Sequence, residues 1–286
     1  MPFRFFVLLL FSHLLLACTG EHSSSSSSSS LSETATGQNT ERMTFFTSHD
    51  GTTIAFHDEG EGDPVLLLHG FLYTSKNWEK AALRTQLLDQ GYRVIRPDLR
   101  GCGDSDHPHD AVKYANDAET KDILALMDYL QIENYCALGY SRGSIILANL
   151  LTQDARITRA VIGGMGLDFT DPEWPRRKAF AQAFADPPVL TEMTRGANEY
   201  AHSINADFRS LFLQQSYQPS PSPEQLRRVE IPILVVSGSE DSDNGDPGKL
   251  ERLFPKGKLS IVPGDHNNTY KSEVSAAAVM AFLKQG

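Results

Sequence analysis

From residue 43 onward, short apolar runs alternate with amphipathic stretches along the chain. An apolar run of about four to eight residues between turn-forming residues is typical of a buried strand. We predict eight strands, at residues 43–47, 52–58, 64–68, 92–95, 135–138, 159–162, 231–236 and 258–262. Most of these runs are uniformly apolar, which favours a mostly parallel sheet covered by helices on both faces.

Helical periodicity occupies most of the intervals between these strands. The spacing predicts helices at residues 77–90, 116–130, directly after Ser141, and at 272–284. Gly91 follows the first of them, as glycine often does at a helix C-terminus. Asn116 and Glu119 have the spacing of a capping box at the start of the second. An α/β architecture follows from this alternation.

One long interval, between the sixth and seventh strands, contains no strand pattern. Helical patterns at 173–185 and 191–215 are separated by Pro187 and Pro188. We therefore predict a small helical cap at about 168–228, over the carboxyl edge of the sheet, where open α/β folds bind ligands. Most of its aromatic residues are expected to pack the cap, and two or three to line an apolar pocket. They are Phe169, Trp174, Phe180, Phe184, Tyr200, Phe208 and Phe212.

The first 42 residues have a different character. Residues 1–17 carry one basic residue and then an apolar run, which is shorter than the roughly 20 residues of a membrane span but suits an export signal. The segment ends in Leu-Leu-Ala before Cys18 and resembles a bacterial lipoprotein signal, with Cys18 as the lipid anchor. Residues 18–42, which include the serine run 23–30, predict a flexible linker. The alternative is an ordinary signal peptide that ends near a cysteine.

The lipoprotein resemblance implies a location and a domain plan. Residues 43–286 would form a catalytic domain outside the cytoplasm, attached to the bacterial cell envelope through the lipid on Cys18. Thr19, where an Asp would favour the inner membrane, points to the outer membrane. The chain of 286 residues is 40% hydrophobic, enough for one substantial core. Its formal net charge of −10 argues against nucleic acid as a partner.

Two further cysteines, Cys102 and Cys136, are expected at opposite ends of the sheet. Cys102 falls in a loop beyond the carboxyl end of one strand, and Cys136 near the start of another. That separation is too large for a disulfide, so we expect two free thiols.

The candidate chemistry centres on the motif Gly139-Tyr140-Ser141-Arg142-Gly143. It joins an apolar strand to a helix, and such a turn needs glycines because a side chain there would strike the neighbouring strand or helix. The turn exposes the Ser141 hydroxyl and directs a helix N-terminus toward developing negative charge. Ser141 is therefore the predicted nucleophile.

Serine needs a base to take its proton, and an acid to orient that base. His266, in the loop after the last strand, is the predicted base, and Asp241, in the loop after the preceding strand, is the predicted acid. The order Ser, Asp, His is the one expected for this architecture. Three carboxylates remain as alternatives to Asp241: Glu240, Asp243 and Asp168.

An oxyanion hole requires two backbone N–H groups that donate to nothing else. We predict those of Phe71 and Arg142. Gly70 would allow the Phe71 loop to approach closely, and His69 is expected to brace that loop; the competing role for His69 is a second base.

Taken together, several motifs resemble the α/β-hydrolase superfamily. They are His69-Gly70-Phe71, residues 96–105, the turn at Ser141, residues 238–241 and Gly264-Asp265-His266. The resemblance implies an α/β-hydrolase fold with an eight-stranded sheet, helices on both sides and no cofactor. Relatives that open epoxides or cleave carbon–halogen bonds carry Asp at the nucleophile position, so Ser141 argues against those reactions. Leu72 replaces a proline that often follows the His-Gly-x motif.

The loop at residues 106–110 contains two carboxylates and two histidines. It lacks the ligand spacing of a metal site and contains Pro108, so we interpret it as a solvated loop and expect no metal. The side chains concerned are Asp106, His107, His109 and Asp110.

On these grounds the sequence predicts hydrolysis of a small-molecule carboxylic ester by Ser141, Asp241 and His266. The same triad acting on an amide, a lactone or a carbon–carbon bond, or transferring the acyl group, is the enzymatic alternative. A membrane-tethered binding protein that kept the fold is the alternative from another class. Oligomeric state stays open.

Overall fold

A computed structural model describes residues 43–285. The predicted signal peptide (1–17) and the predicted anchor and linker (18–42), with Cys18, lie outside the described residues. Within 43–285, no helix has both the length and the apolar character needed to cross a membrane.

All eight predicted strands are present, in one sheet: β1 (Met43–Thr47), β2 (Thr53–Glu59), β3 (Pro64–Leu68), β4 (Arg93–Pro97), β5 (Tyr135–Tyr140), β6 (Ile157–Gly163), β7 (Ile233–Gly238) and β8 (Gly257–Val262). Their order across the sheet is β1-β2-β4-β3-β5-β6-β7-β8. β2 runs antiparallel to β1 and β4, and every other pair is parallel. The predicted mostly parallel, eight-stranded sheet is confirmed.

The helices of the described residues are α1 (Ala82–Asp89), α2 (Ala118–Tyr129), α3 (Arg142–Leu150), α4 (Pro175–Ala183), α5 (Glu192–Ser203), α6 (Phe208–Ser216), α7 (Pro223–Leu226), α8 (Pro247–Glu251) and α9 (Glu273–Leu283). Short 3-10 helices occupy Ser75–Lys80, Ala111–Lys113, Leu167–Thr170 and Thr269–Lys271.

The core lies on both faces of the sheet. Side chains alternate between faces along a strand, so Leu66 and Leu68 of β3 join the apolar cluster under α2, α3 and α8, whereas Val65 and Leu67 join the cluster under α1 and α9. All four are at most 1% exposed. This double burial explains why the central strands are apolar at consecutive positions, and it leaves the carboxyl ends of the parallel strands as the edge at which polar side chains can meet.

Two predicted helical stretches are each divided in the structure, and two short helices, α7 and α8, were not predicted. The stretch 77–90 is a 3-10 helix followed by α1, with Ala81 extended between them at φ −95° and ψ 128°. The stretch 191–215 is two helices, α5 and α6, because Asn205 takes a left-handed conformation at φ 51°. Helix α8 was not predicted; its five residues are too few to display a helical period.

The predicted capping box at Asn116 and Glu119 is wrong. Asn116 and Asp117 both have positive φ, and Asp117, the residue before α2, makes no capping hydrogen bond with its side chain. Glu119 instead turns inward, where it is 4% exposed and binds the Arg142 guanidinium. A tertiary ion pair has replaced the local interaction that the spacing indicated.

The cap is formed by α4 to α7, inserted between β6 and β7 where the prediction placed it. Its own apolar cluster contains Phe184, Phe208 and Phe212 and extends to Phe71 and Leu72 of the core domain. Phe71 packs edge-on against Phe184, with ring centroids 5.3 Å apart. The cap is therefore attached directly to the loop that follows β3.

Cys102 and Cys136 are both free thiols, as predicted. Cys102 is only 6% exposed, and burial raises the pKa of its thiol to about 12. Cys136 is half-buried, and burial also raises the pKa of its thiol.

We expect iodoacetamide at pH 8 to alkylate Cys102 in the folded protein far more slowly than in 6 M guanidinium chloride. The thiolate is the reactive form, and a pKa three units above the ordinary value of 9.0 reduces its population at pH 8 on the order of 10³-fold. Peptide mapping by mass spectrometry gives the two rates, with Cys136 as the internal comparison. Equal labelling of Cys102 in the folded and unfolded states would contradict the burial described here.

Candidate active site

Ser141 stands at the turn between β5 and α3 with φ 53° and ψ −124°, a region that residues with side chains rarely occupy. A Cβ on Gly139 would lie 2.3 Å from the Gly143 carbonyl oxygen, and a Cβ on Gly143 would lie 2.3 Å from the Leu68 carbonyl oxygen. The Ser141 N–H donates to the Gly163 carbonyl at 2.8 Å. Backbone contacts with two neighbouring strands thus hold the turn, and both glycines are required sterically.

The structure brings the three predicted triad residues together. Ser141 Oγ lies 2.9 Å from His266 Nε2, and His266 Nδ1 lies 2.8 Å from Asp241 Oδ2. The Asp241 side chain is 1% exposed and that of His266 26%. A carboxylate can only accept, so Nδ1 carries the proton in this contact and Nε2 is left as the acceptor for the Ser141 hydroxyl.

The acid partner of His266 is Asp241 and none of the three alternatives. Glu240 and Asp243 lie in the same loop as Asp241, but both are exposed. The Asp168 carboxylate lies against Gly245. Asp241 follows β7 closely, and its N–H donates to the Gly238 carbonyl at 3.1 Å, which turns the side chain toward the end of β8.

Two residues beside the triad were missed at the level of sequence. Asn244 Nδ2 lies 3.1 Å from His266 Nδ1 and 3.5 Å from Asp241 Oδ1. The Tyr140 hydroxyl donates to the His266 carbonyl at 2.8 Å. The only sequence signal for either was position: Asn244 follows Asp241 by three residues, and Tyr140 stands inside the nucleophile motif.

The two predicted oxyanion donors flank Ser141. Arg142 is the first residue of α3, so its N–H has no partner within the helix. Phe71 follows Gly70, at which a Cβ would lie 3.2 Å from the Ser141 Cβ. Within residues 43–285 neither N–H donates to a protein acceptor. Leu72, which replaces the proline that often follows the His-Gly-x motif, has φ 61°, a value that proline cannot adopt.

His69 braces the oxyanion loop and does not approach the triad. Its Nε2 accepts from the Leu99 N–H at 3.0 Å, and its Nδ1 donates to the Gly70 carbonyl at 2.9 Å. The side chain is 2% exposed, and burial lowers its pKa. A neutral His69 with both nitrogens engaged is a structural support, which disfavours the role of second base.

The Arg142 side chain connects the nucleophile helix to the cap. Its guanidinium pairs with the Glu119 carboxylate of α2, with Nη1 to Oε1 at 2.8 Å, and donates to the Gln214 carbonyl of α6 at 2.9 Å. Burial acts against the charged form of Arg142, but the Glu119 carboxylate more than offsets it and raises the pKa of Arg142.

A cavity of about 610 Å³ opens between the cap and Ser141. Ser141 and His266 contribute to its floor, and the apolar side chains around them come from both the cap and the core domain. Three of the cap aromatics line it, in agreement with the prediction of two or three: Trp174, Phe180 and Tyr200. A cavity of this size accommodates a small organic molecule.

The side chains of the 106–110 loop each have another partner. Thr53 N–H donates to Asp106, and the imidazole of His109 lies 2.7 Å from Asp207. Asp110 accepts from the Val112 N–H and begins a 3-10 helix. Among residues 43–285 the cluster with metal-ligand geometry lies elsewhere, at His49, Asp50 and Asp122. Its two carboxylates bind the Arg100 guanidinium.

Comparison with known proteins places these features in a family. The sequence model described as alpha/beta hydrolase fold matches residues 63–177. A non-heme haloperoxidase of Rhodococcus erythropolis is 35% identical over 85% of this chain and 100% of its own length. A 2-hydroxymuconate semialdehyde hydrolase of Pseudomonas sp. (strain CF600) is 28% identical over 67% of this chain and 75% of its own.

Solved structures agree on the fold. A thermophilic esterase from Thermogutta terrifontis, solved with malate bound, superposes with a TM-score of 0.68 at 23% identity, over 85% of this chain and 98% of its own. The enol-lactonase from Burkholderia xenovorans LB400 gives a TM-score of 0.68 at 21% identity, over 85% and 100%.

We expect Gly143→Ala to lower the free energy of unfolding by about 3 kcal/mol, the upper end of the range for core overpacking. The clash is with the Leu68 carbonyl, which belongs to the sheet and cannot yield. Gly196→Ala is the matched control: nothing lies within 4 Å of its Cβ, and in the middle of α5 it should stabilise by about 0.5–1 kcal/mol. Urea denaturation measures both; similar effects of the two substitutions would refute the steric argument.

Proposed function

The chain belongs to the alpha/beta hydrolase fold family, and on that premise we propose that it is a serine hydrolase of carboxylic esters acting through an acyl-enzyme on Ser141. The observation that carries the proposal is the pair of hydrogen bonds from Ser141 Oγ through His266 to Asp241. Beside them lie the backbone N–H groups of Phe71 and Arg142, which donate to no acceptor among the described residues.

The geometry supports a two-step reaction. Ser141 Oγ attacks the ester carbonyl while His266 Nε2 takes its proton, and the carbonyl oxygen becomes an oxyanion that accepts from the Phe71 and Arg142 N–H groups. His266 then gives the proton to the leaving alcohol as the C–O bond breaks. Water, deprotonated by His266, adds to the acyl-enzyme and releases the acid. Asp241 holds the imidazole tautomer and stabilises its positive charge.

The identity of the nucleophile supports esters over the epoxides named for some relatives, such as the epoxide hydrolase of Caballeronia sordidicola, 32% identical over 40% of this chain. A serine hydroxyl that opened an epoxide would form an ether, which offers water no carbonyl carbon to attack. An ester substrate leaves an acyl-serine, whose carbonyl water can attack in the second step.

The same acyl-enzyme supports a second candidate function, for which the relative named a non-heme haloperoxidase is the specific observation. If hydrogen peroxide takes the place of water as the second nucleophile, the product is a peracid. We include peroxide with the amide, lactone and carbon–carbon substrates in the substrate panel, since all of these use the same triad.

We expect Ser141→Ala to reduce turnover of a short-chain aryl ester on the order of 10⁴-fold or more. The substitution removes the attacking oxygen and leaves Asp241 and His266 in place. A fluorophosphonate probe should label the wild type at Ser141 and fail to label the variant. Undiminished hydrolysis by the variant would refute the role of Ser141. A wild type that neither reacts with the probe nor turns over any substrate of the panel would favour the binding-protein alternative.

We also propose that the enzyme is attached to the bacterial cell envelope, with the outer membrane favoured, through a lipid on Cys18 and the linker 18–42. The support is the sequence of residues 1–17, which resembles a lipoprotein signal.

Cys18→Ser should release the protein into the soluble fraction, because it removes the thiol that carries the lipid. Fractionation followed by immunoblotting of wild type and variant measures the release, with Cys136→Ser as a control that leaves Cys18 in place. A variant that stays with the membrane fraction would overturn this attachment.

A further inference from the structure

The cavity above Ser141 is lined by more positive than negative side chains, although the whole chain has a formal net charge of −10. One carboxylate, Asp243, belongs to the lining together with five cationic residues. The five are Lys80, Arg142, Arg176, Arg177 and Lys271. A local excess of positive charge on an acidic protein favours an anionic group in the ligand over a neutral one.

Two of the three arginines have protein partners. Arg142 is paired with Glu119. Arg177 donates to the carbonyls of Gln215 and Ser216, at 3.2 and 2.9 Å, and to the Ser220 hydroxyl at 3.0 Å. The terminal nitrogens of Arg142 and the guanidinium of Arg177 are therefore engaged by protein acceptors, whereas the buried Arg142 Nε has no hydrogen-bond partner among the described residues.

Arg176 is different. It lies in the first turn of α4, its guanidinium carbon is 4.8 Å from the centroid of the Phe180 ring, and within residues 43–285 it has no hydrogen bond or ion pair. It is half-buried, and burial lowers its pKa, with Asp243 and Asp241 acting in the opposite direction from beyond contact distance. A guanidinium that is partly removed from water, with no carboxylate in contact and no hydrogen-bond acceptor, is more favourable when a ligand pairs with it.

The buried side chain of Gln218 brings another unmatched donor to the same cavity lining. Gln218 is 4% exposed, and its Nε2 has no hydrogen-bond partner among the described residues. Arg176 and Gln218 both offer N–H groups and lack acceptors. The complementary ligand group is an acceptor with negative charge, and guanidinium matches carboxylate in a two-point geometry.

We propose that the substrate carries a carboxylate remote from the bond that is cleaved, and that Arg176 binds this carboxylate. The inference rests on the proposed ester hydrolysis and names its substrate class: half-esters of dicarboxylic acids, or esters whose alcohol part carries the acid. Asp243 in the same lining disfavours a dianion, so a single carboxylate fits better than a phosphate monoester.

The kinetic test compares esters that differ only in charge. The acyl arm uses mono-4-nitrophenyl glutarate against its methyl ester, and the alcohol arm uses 4-acetoxybenzoate against methyl 4-acetoxybenzoate, each corrected for spontaneous hydrolysis. In the arm that matches the natural substrate, we expect Arg176→Gln to lower the ratio of kcat/KM for the acid to kcat/KM for the neutral ester by about 10- to 100-fold. Arg176→Lys keeps the positive charge but lacks the forked N–H groups of a guanidinium, so its ratio should lie between those of the wild type and Arg176→Gln.

Arg195→Gln is the matched control. It makes the same change in net charge on the cap, but Arg195 is exposed on α5 and does not line the cavity, so the ratio should stay at the wild-type value. Circular dichroism of each variant checks that it is folded. An equal ratio for wild type and Arg176→Gln in both arms would overturn the proposal.

A binding measurement separates this inference from the proposed function. Calorimetric titration of Ser141→Ala with monomethyl glutarate should give a binding heat that Ser141→Ala/Arg176→Gln loses and that dimethyl glutarate does not produce. If neither ester arm is turned over by the wild type but this difference persists, ester hydrolysis is wrong and the carboxylate site stands. If both proteins bind the half-ester alike, or neither binds it, and Arg176→Gln also leaves the ratio in the alcohol arm unchanged, the carboxylate site is wrong.

Discussion

The site depends on one backbone conformation, the positive φ of Ser141. A serine in this region is strained, and such strain persists only where the surroundings determine it. Here the surrounding backbone determines it. The Leu68 carbonyl lies so near to Gly143, and the Gly143 carbonyl so near to Gly139, that only a hydrogen atom fits in place of a side chain. The close approach of α3 to β3 and β5 places the Ser141 hydroxyl at the floor of the cavity and the Arg142 N–H next to it.

Buried polar contacts around this turn fix the other parts of the site. Glu119 pairs with the Arg142 guanidinium under the nucleophile helix, and His69 joins the loop after β3 to Leu99 after β4. Buried groups of this kind are stable only when each finds its partner. The predicted oxyanion donors are therefore supported by tertiary hydrogen bonds and an ion pair, whereas Arg176, in the cap, has no hydrogen bond or ion pair among the described residues.

The sequence predicted the strands well because their signal is local. A short, uniformly apolar run such as 64–68 between turn residues is typical of a buried strand. The sequence also predicted where Ser141, Asp241 and His266 would meet, since the carboxyl ends of parallel strands share one edge of the sheet. The sequence-based prediction was wrong where tertiary contacts compete with local spacing. Glu119, for example, pairs with Arg142 and does not form the predicted capping box. Asn244 carried no signal of its own, because an asparagine in a loop has the same appearance whether or not it adjoins a histidine.

Two arginines, one from the core domain and one from α4 of the cap, donate to main-chain oxygens of α6. Arg142 donates to the Gln214 carbonyl, and Arg177 to those of Gln215 and Ser216. Main-chain acceptors are the same for every residue type, so these bonds fix the path of the α6 backbone without depending on which side chains occupy positions 214 to 216. Side chains at these positions can therefore change over evolutionary time while the helix that carries the predicted oxyanion donor keeps these bonds. In this fold, the geometry of the proposed reaction depends on the backbone, whereas the proposed choice of substrate depends on side chains of the cap, which can differ.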